Sequence, residues 1–266
     1  MMPAAPSGEE RGTESKTTRK GGRFWEVDAA RGIAILMMAF YHLSYDLEAF
    51  GGYGIDVTTG WWAFFSDTIA SLFLFLVGVS LAISHARAVA GDPGRSLFLK
   101  YLFRGLRIVG YGMLLTLVTW YLGVGIIVFG ILHLIGVSII LAYPLLRFRL
   151  TNLFLGLGVF AVGEYMRLQN VSSASPGLLP FGVAPENLFM PDYRPLLPWF
   201  GVVLIGLFFG NVLYGRRESV IRESGAPLLA RPLGFLGRNS LLIYLIHQPI
   251  LIALLVLFGI VDFGGF

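Results

Sequence analysis

The stretch ARGIAILMMAFYHLSYD, residues 30–46, sets Arg31, ten residues, His42 and, one helical turn later, Asp46 into an otherwise apolar run. Imidazole takes and returns a proton near neutral pH, and a carboxylate four residues away on a helix is within reach of it. Three more ionisable groups stand in apolar surroundings: Asp67 in FFSDTIASLF, His133 in GILHLIGVS and His247 in NSLLIYLIHQPI. Such groups are costly in hydrocarbon and mark a functional site by default. A histidine acting as general base beside a carboxylate is enzyme chemistry. The same groups in series are a proton relay for a transporter. Both readings stand on these residues.

The elements that carry them have to be membrane helices. The chain has 266 residues, 56% hydrophobic and 14% charged, with a mean hydropathy of +0.73. A soluble domain of that composition would lack polar surface. Seven apolar stretches approach the roughly 20 residues that cross hydrocarbon: residues 29–50, 61–84, 101–122, 126–146, 151–168, 196–214 and 240–260. The fold expected is all-α, a polytopic transmembrane bundle of about seven spans over residues 24–266. A polar, glycine-rich cytoplasmic tail, residues 1–23, precedes it and reads as disordered. The first apolar stretch begins after residue 28, too late for a cleavable signal core, so the first span reads as an anchor.

Charge orients this bundle. Of the 20 Lys and Arg residues, all but Arg167 and Arg194 fall on one side of seven spans, which puts the N-terminus inside by the positive-inside rule. The net charge of +4 then belongs to topology and to contacts with anionic membrane lipids, and no nucleic-acid footprint is present. No internal repeat supports a transporter built of inverted halves. The absence of cysteine excludes thiolate metal sites and cysteine nucleophiles, and no metal is expected.

Depth follows from helical rise. His42 lies about 16 Å beyond Arg31 and about 20° around the same face. Asp46 neighbours it, and Asp67, His133 and His247 are each expected at a similar level. His42, Asp46, Asp67, His133 and His247 are therefore the catalytic candidates, with Glu164 the weakest member of the group. On the inner side Arg95, Lys100, Arg104, Arg107, Arg231 and Arg238 suit phosphates.

Arg31, ten residues and His42 match the Arg-(ten)-His signature at the start of the membrane acyltransferase-three family. More of the chain resembles the related family of the heparan-alpha-glucosaminide N-acetyltransferase catalytic domain. The matching pieces are RFWEVDAARGIAILMM, DTIASLFLFLVGVSL, GILHLIGVSIILAYPLL and FLGRNSLLIYLIHQPILI, spread over most of residues 23–260. This resemblance implies transfer of an acetyl or other acyl group from cytoplasmic acyl-CoA to an amino or hydroxyl group of a glycan-like or lipid-linked acceptor. It gives Arg104, Arg107 and Arg238 the CoA phosphates. Arg31 would engage the CoA diphosphate or a carboxylate such as Glu26 or Asp28.

The animal enzyme of this family carries its active-site histidine just before the aspartate of the second helix, and GIDVTTGWWAFFSD contains none. The base is then His42, as in the acyltransferase-three pattern, with Asp46 or Asp67 fixing its tautomer. The alternative is a proton-coupled transporter or flippase of an amphiphile using the same cluster. The long outer connection, residues 171–195, reads as a lid whose Phe181, Phe189 and Tyr193 cover an acceptor. The location expected is a prokaryotic cell membrane.

Overall fold

The computed structural model describes residues 24–92, 96–123, 125–173, 175–185, 190, 192–215, 227–228 and 230–261; the tail 1–23, Arg95 and Phe189 lie outside them. Hydrocarbon offers no water to a backbone N–H or C=O, so apolar runs close their hydrogen bonds internally as helices. The described residues form an all-α bundle: α1 (Trp25–Gly51), α2 (Gly60–Gly91), α3 (Phe98–Tyr121), α4 (Ile131–Leu141), α5 (Leu150–Leu168), α6 (Leu196–Tyr214), α7 (Ala230–Arg238) and α8 (Ser240–Leu257). Glu26 and Asp28 sit in the first turn of α1, where negative charge meets the positive end of the helix dipole. That helix ends at Gly52, whose φ of 61° lets its N–H close on the Glu48 carbonyl.

Five of these helices, α1, α2, α3, α6 and α8, are long and apolar enough to cross a membrane. Two of the seven predicted spans change character. The fourth begins at Ile131, not at residue 126, and α4 has 11 residues, continued only by a 3-10 turn at Tyr143–Leu145. Gly123 and Gly125 hold φ of 69° and 120°, outside the helical region. The chain after them pairs with the connection before α6: Gly130 bridges Tyr193, and the Arg194 N–H donates to the Phe129 carbonyl at 3.2 Å. The fifth, α5, has 19 residues but carries Glu164 and Arg167 near its end.

Helices in this bundle approach one another at glycines. Lipid tails are as apolar as leucine, so close packing stands in for a hydrophobic drive between helices. A Cβ on Gly78 of α2 would lie 2.1 Å from the Val203 oxygen of α6, and one on Gly206 would lie 2.1 Å from the Phe75 oxygen. Gly156 and Gly201 join α5 to the other flank of α6, and Gly105 and Gly136 join α3 to α4. A Cβ on Gly237 of α7 would fall 1.8 Å from the Asp28 oxygen of α1.

The order across the bundle is α5, α6, α2, α1, with α7 and α8 against α1 and the α3–α4 pair attached through α4. Leu74, Leu81, Leu134, Val203, Leu204 and Leu207 form the core where α2, α4 and α6 meet. A smaller cluster, Ile35, Met38 and Ile69, is covered by Ile243 and Tyr244 of α8. Phe103, Leu117, Phe154, Leu242 and Ile250 are exposed on outward faces, as contact with lipid requires.

Gly206→Ala forces a methyl against the Phe75 backbone, and overpacking of this kind costs about 1–3 kcal/mol. Gly158→Ala on α5, with nothing within 4 Å, is the control. Thermal unfolding in detergent is expected to fall for the first and hold or rise for the second. Equal midpoints would refute the close approach of α2 and α6.

Candidate active site

Along α1, Arg31, Ile35, Met38, His42 and Asp46 recur every three or four residues and share one stripe. Ile35 and Met38 pack toward Ile69 of α2 and Ile243 and Tyr244 of α8, so the stripe continues into that contact. There His42 meets His247, with ring centroids 4.7 Å apart and ring planes at 61°. On α8 the facing positions are Tyr244, His247 and Gln248, again three and four residues apart.

Hydrogen bonds assign one of the two imidazoles a tautomer. His247 Nδ1 lies 2.6 Å from the Tyr244 carbonyl, which can only accept, so the ring proton is on Nδ1. Its Nε2 then bears a lone pair, and that atom is buried with no hydrogen-bond partner among the described residues. Asp46 is fully buried, and its Oδ1 accepts from the Gln248 amide. Asp46 Oδ2 and Gln248 Oε1 have no partner among the described residues. Three acceptor atoms without donors thus collect where α1 meets α8, although buried polar groups are nearly always paired.

Asp67 and His133, predicted at the same level, are engaged elsewhere. Asp67 accepts from Arg194 at 3.0 Å and from Arg167 at 3.1 Å, while Glu164 pairs with Arg167 at 2.8 Å. Arg194 also donates to Ser66 at 2.7 Å and lies over the Trp199 ring at 4.9 Å. Helical rise gives depth along one helix, but not which loop cation folds onto it. His133 belongs to the first turn of α4, where its Nδ1 accepts from the Gly130 N–H at 3.3 Å. Gly112 of α3 makes room for that ring, since a Cβ there would lie 2.9 Å from it. Asp46 is held by Gln248 and not by His42, contrary to the tautomer-fixing role expected of it. Sequence reasoning passed over Gln248 and Tyr244, whose signal was their helical spacing from His247.

The histidine pair lines neither of two cavities formed by the described residues. The first, about 460 Å³, is bounded by Arg31, Arg87, Lys100 and Arg104 together with Phe24, Asp28 and Ser80. Within it Arg31 donates to Asp28 at 3.2 Å and to Ser80, and Arg87 lies over the Phe24 ring at 5.2 Å. Of the four predicted donor-binding arginines it includes Arg31 and Arg104. Arg107 and Arg238 are not among its lining residues, and Arg87 and Lys100 take their place. The second, about 590 Å³, includes Arg167, Phe181, Tyr193, Arg194 and Trp199. Tyr193 is pinned by its hydroxyl, which donates to the Leu179 carbonyl at 2.7 Å. Among the described residues no group of three His, Asp or Glu side chains is placed to hold a metal ion.

Residues 23–249 match the family described as heparan-alpha-glucosaminide N-acetyltransferase, catalytic. The chain belongs to this family. No curated protein and no solved structure matches it. The matched region takes in all of α1 and the first half of α8, through His247 and Gln248, so both members of the histidine pair fall inside it.

The Asp46–Gln248 bond predicts coupling. In a double-mutant cycle of Asp46→Ala and Gln248→Ala, unfolding free energies in detergent are expected to be non-additive by about 0.5–3 kcal/mol. Additive losses would mean that the two side chains stabilise the fold independently.

Proposed function

We propose that this chain is an integral-membrane acetyltransferase that draws an acetyl or other acyl group from acyl-CoA at the first cavity. It delivers that group, beside His42 and His247, to an amino or hydroxyl group of a glycan-like or lipid-linked acceptor. One observation carries the reading: a cation-lined cavity at Arg31 and an imidazole pair about 16 Å further along the same helix. That separation suits a donor whose anionic nucleotide end and reactive thioester are joined by an extended pantetheine arm. Arg31, Arg87, Lys100 and Arg104 are the groups for its phosphates. The N-terminus is cytoplasmic in this reading, because the cationic residues that line the donor cavity lie on the positive-inside face.

The acceptor nitrogen or oxygen attacks the thioester carbonyl carbon, and His247 Nε2, the free lone pair, takes its proton. Collapse of the tetrahedral adduct breaks the carbon–sulfur bond, and the departing sulfur receives that proton from the imidazolium. Acylated acceptor and CoA are the products. His42 packs edge to face against His247. Asp46 and Gln248 offer oxygens to a group that donates hydrogen bonds, as an attacking amine or alcohol does. Enclosure keeps bulk water from competing for the thioester.

His42→Ala and His247→Ala are each expected to lower turnover about 10²–10⁴-fold. The double variant should be little worse than either, because residues acting as a unit lose most activity with the first deletion. Strictly additive losses would demote one of them to packing. CoA should also raise the thermal stability of the solubilised protein, by about 2.7 kcal/mol at a hundredfold excess over its Kd. Arg31→Gln and Arg104→Gln are expected to weaken that effect, and Arg107→Gln to match the parent. No stabilisation at millimolar CoA, with substrate-driven proton movement in liposomes, would replace this reading by the proton-coupled transporter.

A further inference from the structure

The connection before α6 reaches into the bundle through one carboxylate. Asp192 Oδ2 accepts two hydrogen bonds at once, from the Ile131 N–H of α4 at 3.1 Å and from the Tyr244 hydroxyl of α8 at 2.9 Å. Gly130 makes the approach feasible, since a Cβ there would stand 2.8 Å from that oxygen. Having no side chain, Gly130 also cannot cap α4, and the distant carboxylate satisfies an open N–H of its first turn. Asp192 holds a left-handed φ of 58°, a conformation that aspartate tolerates better than most residues. Just after it the backbone is fastened twice, by the Gly130–Tyr193 bridge and by the Arg194 N–H on Phe129. Arg194 in turn is tied to Asp67 of α2.

Tyr244 is the point where this fastening meets the histidine pair. Its ring centroid lies 5.6 Å from that of His247, and it packs with Ile35 and Met38 of α1. α8 otherwise makes few packing contacts, chiefly with α1 and α7, and most of its length faces outward. A helix so lightly held depends on polar ties for its register, and toward α1 the tie is Gln248 on Asp46. The Asp192–Tyr244 bond is the polar tie that joins it to α4 and the α6 connection.

We propose that Asp192 is a positioning residue: by tying Tyr244 to the start of α4, it sets how α8 presents His247 to His42. The connection predicted as a lid is here a strap, and its effect on catalysis runs through helix register. The geometric part stands alone, and the kinetic part rests on the acyltransferase reading.

The chain contains no cysteine, so a His42→Cys/His247→Cys variant can be joined by a short bifunctional thiol reagent as a direct gauge of the α1–α8 contact. Cross-linking is expected to fall several-fold when Asp192→Ala or Tyr244→Phe is added. Asp192→Asn should retain it, because one amide oxygen can accept both bonds that Oδ2 accepts. In the otherwise native chain Asp192→Ala is expected to lower kcat with acetyl-CoA by about 10- to 100-fold, the cost of a small misplacement. Asp192→Asn should restore most of that loss, and CoA binding should be unchanged in both. Undiminished cross-linking in both Asp192→Ala and Tyr244→Phe, or an Asn variant as impaired as the Ala variant, would overturn the proposal. A parent protein with no transferase activity would overturn the acyltransferase reading alone, since the cross-linking comparison still decides this one.

Discussion

A polar atom inside hydrocarbon has no water to fall back on, and this constraint organises the molecule from backbone to site. It makes the apolar runs helical. Isolated side chains follow the same rule: Ser44 donates to the Phe40 carbonyl, Thr68 to Phe64, and Thr116 to Gly112. Against that background the atoms that break the rule stand out. Among the described residues Glu26 Oε2, the Tyr101 hydroxyl, His133 Nε2, Ser138 Oγ and Asn152 Oδ1 lack partners at scattered positions, whereas Asp46 Oδ2, Gln248 Oε1 and His247 Nε2 lack them together at one helix contact. A fold alone gains nothing from three such atoms side by side, and a reaction that brings a hydrogen-bond donor to them does.

Helix α1 connects the two ends of the proposed chemistry. Near its start Arg31 faces a cavity of cations, and about three and four turns on its stripe carries His42 and Asp46 to α8. Both ends are held by small residues and by polar ties to other segments. At the start Gly237 of α7 lies against the Asp28 backbone and Gly32 of α1 against the Leu233 backbone, while Ser80 of α2 receives Arg31. Further along, α8 leans on α1 and is fastened through Tyr244. Distances between donor site and histidine pair are therefore set by a rigid helical rise, with no loop in between.

Charge outside this line serves a different purpose. Asp67 and Glu164 neutralise Arg167 and Arg194, the two cations the positive-inside pattern leaves on the far side. With Trp199 under Arg194, that network locks the connection before α6 to α2 and α5. Asp67 looks catalytic in the sequence because it is an acid within an apolar run, and its partners lie 100 and 127 residues away. No local pattern reports contacts of that range.

By itself the sequence determined the solvent, the helices and the chemistry-bearing stripe. Composition demanded a membrane bundle, and 3.6-residue periodicity placed His42 and Asp46 on Arg31's face because helix geometry is local. The pieces RFWEVDAARGIAILMM and FLGRNSLLIYLIHQPILI bring Ile35 and Met38 of α1 and Tyr244, His247 and Gln248 of α8 to the contact between those helices. Only the tertiary structure decided which ionisable groups meet. It joined His42 to His247 and Asp46 to Gln248, drew Asp67 to two arginines, and confined His133 to the start of a helix cut short by glycines. It also revealed Asp192 on Tyr244, a bond between a loop and a helix 52 residues apart. Depth along a helix follows from counting residues. Neighbours across helices depend on how glycines let backbones approach and where connections fold back, and those are properties of the packed bundle alone.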